Sequence, residues 1–308
     1  MEEETLQEHL NNLKKYKLPP ISEIKDIVVA ATEILQTEQK VIMLNPPISI
    51  VGNIHGHFSD LEKIFHIGGS PFYTRYLFLG NYVDKGNFSL NVLLYLLIYK
   101  ILYPKRIYLL RGGHESCTLN KLFNFYKECL QKTITKDVWK AILNLYKFLP
   151  LAAIINKAQI FCIHGGLSPE IDNIMAIENI ERKEDVNTDS VLADLLWSDP
   201  NPNINKTVWD FSANGFGYFF PHKETEKFLK ANNMKVLIRS REIIEEGVKE
   251  SHCGLVITIN STTKLSPSRL GGYVMVGENF GIEPVIISNK ETNKDDYYIS
   301  DDINAIWS

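Results

Sequence analysis

Four polar, glycine-flanked loops hold the residues best suited to chemistry in this chain. They are Gly52-Asn53-Ile54-His55-Gly56, Gly80-Asn81-Tyr82-Val83-Asp84-Lys85-Gly86, Arg111-Gly112-Gly113-His114-Glu115 and His164-Gly165-Gly166. Tight glycine turns let side chains and backbone converge, so the first three of these loops, alike in form, point to a shared site.

Each loop follows an apolar run: Ile48 to Val51, Tyr76 to Leu79, Ile107 to Leu110 and Gln159 to Ile163. Such short runs read as buried strands, and the C-terminal ends of strands are where α/β folds gather chemistry. Helices are expected from a Ser22 cap to Gln36, from Ser59 to His66, Ser89 to Leu102, Leu119 to Gln131, Lys136 to Phe148 and Lys223 to Asn232. Leu151 to Asn156 and Gln159 to Ile163 read as a hairpin, and strands recur at Val236 to Ile238, Leu255 to Ile259, Gly272 to Val276 and Val285 to Ile287. Residues 1–20 form an N-terminal extension whose Leu6, Leu10 and Leu13 suit a short amphipathic helix packed on its own domain. Residues 289–308 form an acidic tail ending near Trp307.

The 308 residues are 44% hydrophobic and 23% charged, enough to bury a sizeable core. A net charge of −4 gives no support to nucleic-acid binding. Four scattered cysteines without a CxxC pair, and an acidic start without a signal-type apolar segment, predict a cytoplasmic or nuclear protein with reduced thiols. The longest apolar stretch, Leu90 to Leu102, is too short to cross a bilayer, so no membrane insertion is expected.

In order and spacing, the loops resemble the PPP family of protein serine/threonine phosphatases, in its type 1/type 2A branch. Where that family reads GDxHG, GDxVDRG, GNHE, HGG and RxH, this chain reads Gly52–Gly56, Gly80–Gly86, Gly112–Glu115, His164–Gly166 and Arg239-Ser240-Arg241. Leu167-Ser168-Pro169 and Leu195-Leu196-Trp197-Ser198-Asp199-Pro200 add to the likeness, which spans residues 21–288. The resemblance implies a metallophosphoesterase (calcineurin-like) α/β fold. Its central β-sandwich would be flanked by helices and carry a two-metal site at the strand ends.

Position by position, however, the family's six metal ligands become Asn53, His55, Asn81, Gly113, His164 and Arg241. Only the two histidines survive; the resemblance makes His55 and His164 the candidates for holding a metal ion, but two neutral imidazoles rarely hold one without a carboxylate or thiolate beside them, so a hydrogen-bonded structural role is the stronger reading. Each lost carboxylate removes a negative charge beside a dication, an interaction of roughly 8 kcal/mol at 4 Å in an effective dielectric near 20. Lys85 stands at one of the two phosphate-clamping arginines, and Asn214 is matched to the other. The family's active-site tyrosine falls on Leu265 or Lys264. His114 and Asp84 remain, the pair that the family uses as general acid.

The expectation is a catalytically inactive phosphatase-like protein, a pseudophosphatase, that acts as a scaffold or regulatory module for protein partners. No cofactor is expected, with Mn, Zn or Fe only if the site were residually functional. In this reading Arg241 fills the metal position and pairs with Asp84. Two alternatives belong to other classes. One is a weak phosphatase using a single metal on Asn53, His55 and Asn81. The other is a non-hydrolysing phosphate reader built on Lys85, Arg241 and Lys264. The four histidines His57, His66, His222 and His252 are expected at the surface.

Overall fold

The computed structural model describes residues 1–182, 185–212 and 215–289. Two sheets pack face to face. The first has six strands, in the spatial order Val41–Leu44, Ala152–Ile155, Ile160–Ile163, Val236–Arg239, Val256–Ile259 and Val248–Ser251. The second has five, in the order Ile282–Ser288, Leu270–Val276, Ile48–Val51, Tyr76–Phe78 and Ile107–Leu109. Between them lies a dry layer of side chains such as Ile50, Leu77, Leu110, Cys162, Ile238 and Ile259. The strands Ile48–Val51, Tyr76–Phe78 and Ile160–Ile163 bury every residue, because helices cover the outer faces as well.

Outside the five-stranded sheet, Ile21–Gln36, Phe58–Gly68, Ser89–Leu102 and Asp137–Tyr146 build a second apolar layer. The helix Glu3–Leu13 joins it through Leu6, Leu10 and Leu13, so the first residues share the core. Ser89–Leu102 is buried on nearly all sides, and its Lys100 is neutralised by Glu38 Oε1 at 2.5 Å. A third layer, outside the six-stranded sheet, forms around Leu195, Leu196, Trp197, Phe220 and Phe228. A small sheet of Asp199–Pro200, Tyr218–Phe220 and Asp210–Phe211 lies in this part of the chain.

Some boundaries depart from the sequence expectation. Pro20, not Ser22, precedes the first turn of Ile21–Gln36, since the Pro19-Pro20 pair sets the extended entry that a cap requires. The helix expected over 119–131 is two, Cys117–Leu122 and Phe125–Thr133. The break frees Phe125 N–H to donate to Asp84 Oδ1 at 3.0 Å, a tertiary bond that a continuous helix would forbid. His252 is buried, not at the surface, and bonds Thr225 Oγ1 at 2.8 Å. Trp307 and the rest of the tail from residue 290 lie outside the described residues.

Candidate functional site

Parallel pairing explains why the loops meet. Ile48–Val51, Tyr76–Phe78 and Ile107–Leu109 run side by side in one direction, as do Ile160–Ile163 and Val236–Arg239 in the other sheet. Their C-terminal ends therefore open at common edges, and cross-links tie the two edges together. Ser240 Oγ accepts from Asn53 N–H at 2.9 Å and donates to Ile259 O at 2.7 Å. The turns themselves are sharp. Five non-glycine residues here, His55, Asn81, Asp84, Lys85 and Arg241, have φ of 48°, 58°, 66°, 66° and 70°. Left-handed backbone at such residues is costly and collects at functional sites. Gly80 has no alternative, since a Cβ there would lie 2.4 Å from Gly112 N.

The two asparagines are fully enclosed and form a directional chain of hydrogen bonds. His114 N–H donates to Asn81 Oδ1 at 2.9 Å. Asn81 Nδ2 donates to Asn53 Oδ1 at 3.1 Å. Asn53 Nδ2 donates onward to the carbonyls of Arg241 at 3.0 Å and Glu242 at 3.3 Å. Backbone partners at both ends fix the orientation of each amide. A carboxylate at either position would bring oxygen against oxygen.

His55 Nδ1 donates to Val83 O at 2.9 Å and His164 Nδ1 to Leu79 O at 2.8 Å, which leaves Nε2 of each ring as the acceptor. His164 Nε2 is buried without a partner. His55 Nε2 lies 3.4 Å from Asn81 Nδ2. Burial pushes both rings well below the usual histidine pKa, with Lys85 adding to the effect on His55 and the Arg239 and Arg241 guanidiniums on His164.

Arg241 is in the site, but its partner is not Asp84. Its Nε donates to Asp199 Oδ1 at 2.6 Å, its Nη2 meets Asp199 Oδ2, and the guanidinium lies 5.9 Å from the Trp197 ring. Asp199 also holds Arg239 Nη2 at 2.7 Å, and Glu242 Oε2 takes Arg239 Nη1 at 2.6 Å, so two carboxylates serve the two buried cations. Asp84 has other partners: His114 Nδ1 at 2.9 Å, Asn120 Nδ2 at 3.3 Å and Phe125 N–H. Asp84 is full, while Asp199 is free to face the Arg241 turn. Desolvation raises Asp84 to about 7 despite those bonds. Desolvation, then Lys85 and Arg241, hold His114 well below its usual range, so it is neutral at pH 7 and poorly suited to act as an acid.

Gly113 is backed by an aromatic ring. A Cβ there would lie 2.5 Å from Trp197 Cζ2, so the indole fills the space that any side chain would need. Lys85 is largely buried, and desolvation together with Arg241 lowers it to about 8. Lys264 is exposed on its loop, outside this buried cluster, and Asn214 lies outside the described residues. Asp199 and Trp197 were missed as site residues by sequence reasoning. Their only signal was the Leu195–Pro200 stretch, noted for its likeness and not for its role.

These donors do not fit a two-metal centre. Both amide oxygens are committed to protein donors, the position of Gly113 is filled by Trp197, and the residue at the sixth ligand position, Arg241, is a cation held by Asp199. In the single-metal set of Asn53, His55 and Asn81, His55 keeps Nε2 as an acceptor, while the two amide oxygens accept from Asn81 Nδ2 and His114 N–H. Among the described residues, no group of three or more His, Cys, Asp or Glu could hold a metal ion.

The fold and the loop arrangement define a metallophosphoesterase fold: the chain belongs to the calcineurin-like phosphoesterase family, whose family model matches residues 46–240. Among solved structures it is similar to a protein serine/threonine phosphatase from Saccharomyces cerevisiae, described as similar to human phosphatase PP5. The two share 26% identity with a TM-score of 0.86, over 95% of this chain and 98% of that one. The match supports the PPP-type resemblance of the five motifs. A cold-active protein-tyrosine phosphatase of the psychrophile Shewanella sp. shares the fold alone, at 16% identity and a TM-score of 0.60, over 82% of this chain and 84% of that one. No helix among the described residues is long and apolar enough to cross a membrane.

Proposed function

We propose that this protein keeps the phosphatase fold without metal-dependent phosphatase turnover, and that it works as a binding or scaffold module for other proteins. The observation that carries this reading is the amide chain from His114 N–H through Asn81 and Asn53 to the carbonyls of residues 241 and 242. It uses amide groups as amides, in a closed hydrogen-bonded arrangement, and puts no carboxylate at either of those two positions to offset the charge of two dications. The Arg241 guanidinium, paired with Asp199, occupies a position at which the family has a neutral metal ligand. A surface role is supported by Ile204, Val208 and Phe211. All are exposed, Phe211 by 81%, in the stretch that follows Asp199.

The test is elemental mass spectrometry of the chain after loading with Mn²⁺ and Zn²⁺ and desalting, paired with a phosphatase assay. Near-zero metal per chain and no turnover are expected. Restoring Asn53→Asp and Asn81→Asp together should not produce activity, because Gly113 and Arg241 are unchanged. About two metals per chain, or robust turnover by the double variant, would overturn the reading.

A further inference from the structure

The last strand, Ile282–Ser288, ends beside a row of cations. Lys63 Nζ, on the helix Phe58–Gly68, donates to Ser288 O at 2.5 Å, and Asn289 N–H donates to the carbonyl of the exposed Arg269 at 3.2 Å. Phe58 begins the same helix, about 7.5 Å from Lys63 along its axis. Its ring lies 5.7 Å from that of Tyr16. Tyr16 lies 4.5 Å from Phe88, and Lys132 Nζ stands over the Phe88 ring at 5.1 Å. Tyr16 is held at a cost: just past the helix Glu3–Leu13 it has φ of 59°, the left-handed backbone with which glycine usually ends a helix. It is 44% exposed and sits among Lys14, Lys15 and Lys17, all exposed and without an ion pair among the described residues. The nearby acids are Glu62, half-buried beside Lys63, and Glu128, which pairs with Lys132.

The sequence that follows is the complement of this strip. Residues 295–307 carry Asp295, Asp296, Asp301 and Asp302 with no lysine or arginine, interleaved with Tyr297, Tyr298 and Trp307. We propose that residues 295–307 dock on this strip of their own chain: the carboxylates pair with Lys14, Lys15, Lys17 and Lys63, and an aromatic side chain packs on the exposed face of Tyr16. Reach is no obstacle, since residues 290–307 extended span roughly 60 Å. The short tether from Ser288 keeps the local concentration of the acidic stretch on the order of millimolar, so weak exposed ion pairs and one aromatic contact are enough to hold it. A left-handed tyrosine then has a use that glycine could not supply, because it presents a ring between three cations.

The experiment is carbodiimide coupling of the full chain at low salt, which joins a carboxylate to a lysine amine in contact with it, read by mass spectrometry of the monomer. Links from Asp295, Asp296, Asp301 or Asp302 to Lys14, Lys15, Lys17 and Lys63 are expected. Links to the exposed Lys223 and Lys230, on the helix His222–Ala231 outside the six-stranded sheet, should stay at background. At 1 M sodium chloride, where the Debye length is about 3 Å, the yield should fall about fivefold. Hydrogen exchange gives a second reading. Asp295→Asn, Asp296→Asn, Asp301→Asn and Asp302→Asn together should speed exchange of the 14–18 amides about tenfold, at an unchanged melting temperature. Links spread evenly over Lys223 and Lys230, or unchanged exchange in the fourfold variant, overturns the inference. Covalent dimers in place of links within one chain also overturn it, and give the strip to a second copy.

Discussion

Asn53→Asp is the most informative single change, because a family-based argument and the structure predict opposite results. If Asn53 were merely a damaged metal ligand, restoring the carboxylate would be harmless or helpful. The structure predicts damage. Asn53 is wholly buried, and its Nδ2 faces the carbonyls of Arg241 at 3.0 Å and Glu242 at 3.3 Å. In the variant an oxygen stands there instead. Two neutral hydrogen bonds worth about 1 kcal/mol each are lost. A buried carboxylate then faces two carbonyl oxygens, and Arg241, the nearest guanidinium, is already held by Asp199.

The expected loss is about 3–5 kcal/mol at pH 8, on the scale of breaking a buried polar pair. For a domain of this size that is roughly 5–8 °C in melting temperature. One escape is open to the variant: a protonated carboxyl donates to a carbonyl as the amide did. The folded-state pKa of the new group is therefore raised above its unfolded value of about 3.9. The loss is then small below pH 4 and grows as pH rises through the folded pKa. The assay is urea unfolding of wild type and variant at pH 5 and pH 8. Equal stability at pH 8, or a gain there that depends on Mn²⁺, would refute the reasoning.

Three further outcomes follow from the same geometry. Gly113→Asn forces a side chain into the Trp197 indole and should cost about 1–3 kcal/mol in urea unfolding, with a shift in tryptophan fluorescence that locates the displaced ring. Asp199→Asn leaves the buried Arg239 and Arg241 guanidiniums without their shared carboxylate and should cost about 3–5 kcal/mol by urea unfolding; Trp197→Phe, which spares the carboxylate, should cost less than half of that. Asp84 sits at about 7 in the folded protein, so its carboxylate costs nothing below its ordinary range near 4 and progressively more as pH rises through 7. Asp84→Asn should flatten that part of the stability–pH profile, and an unchanged slope between pH 5 and 8 would show that the buried carboxyl does not titrate there.

Much was legible in the residues because it was local. Short apolar runs ending in glycine turns announced the strands and the loops at their ends, and the order of five motifs pointed to the fold. The same alignment exposed the missing ligands at Asn53, Asn81, Gly113 and Arg241. What a residue type cannot state is its partner. Asn53 and Asn81 looked like failed carboxylates, yet their amide protons are the reason they fit, because Asn53 Nδ2 is spent on backbone carbonyls from residues 241 and 242. A buried arginine needs a carboxylate partner, and the motifs offer Asp84 to Arg241. The fold gives Arg241 to Asp199 instead, since Asp84 is consumed by a backbone N–H that exists only where the helix breaks before Phe125. Gly113 read as an empty place, and only packing shows it to be full of Trp197. Local pattern determines which elements form and where their ends point. The pairing of buried polar groups depends on donors brought together from distant strands, and only the tertiary structure decides it.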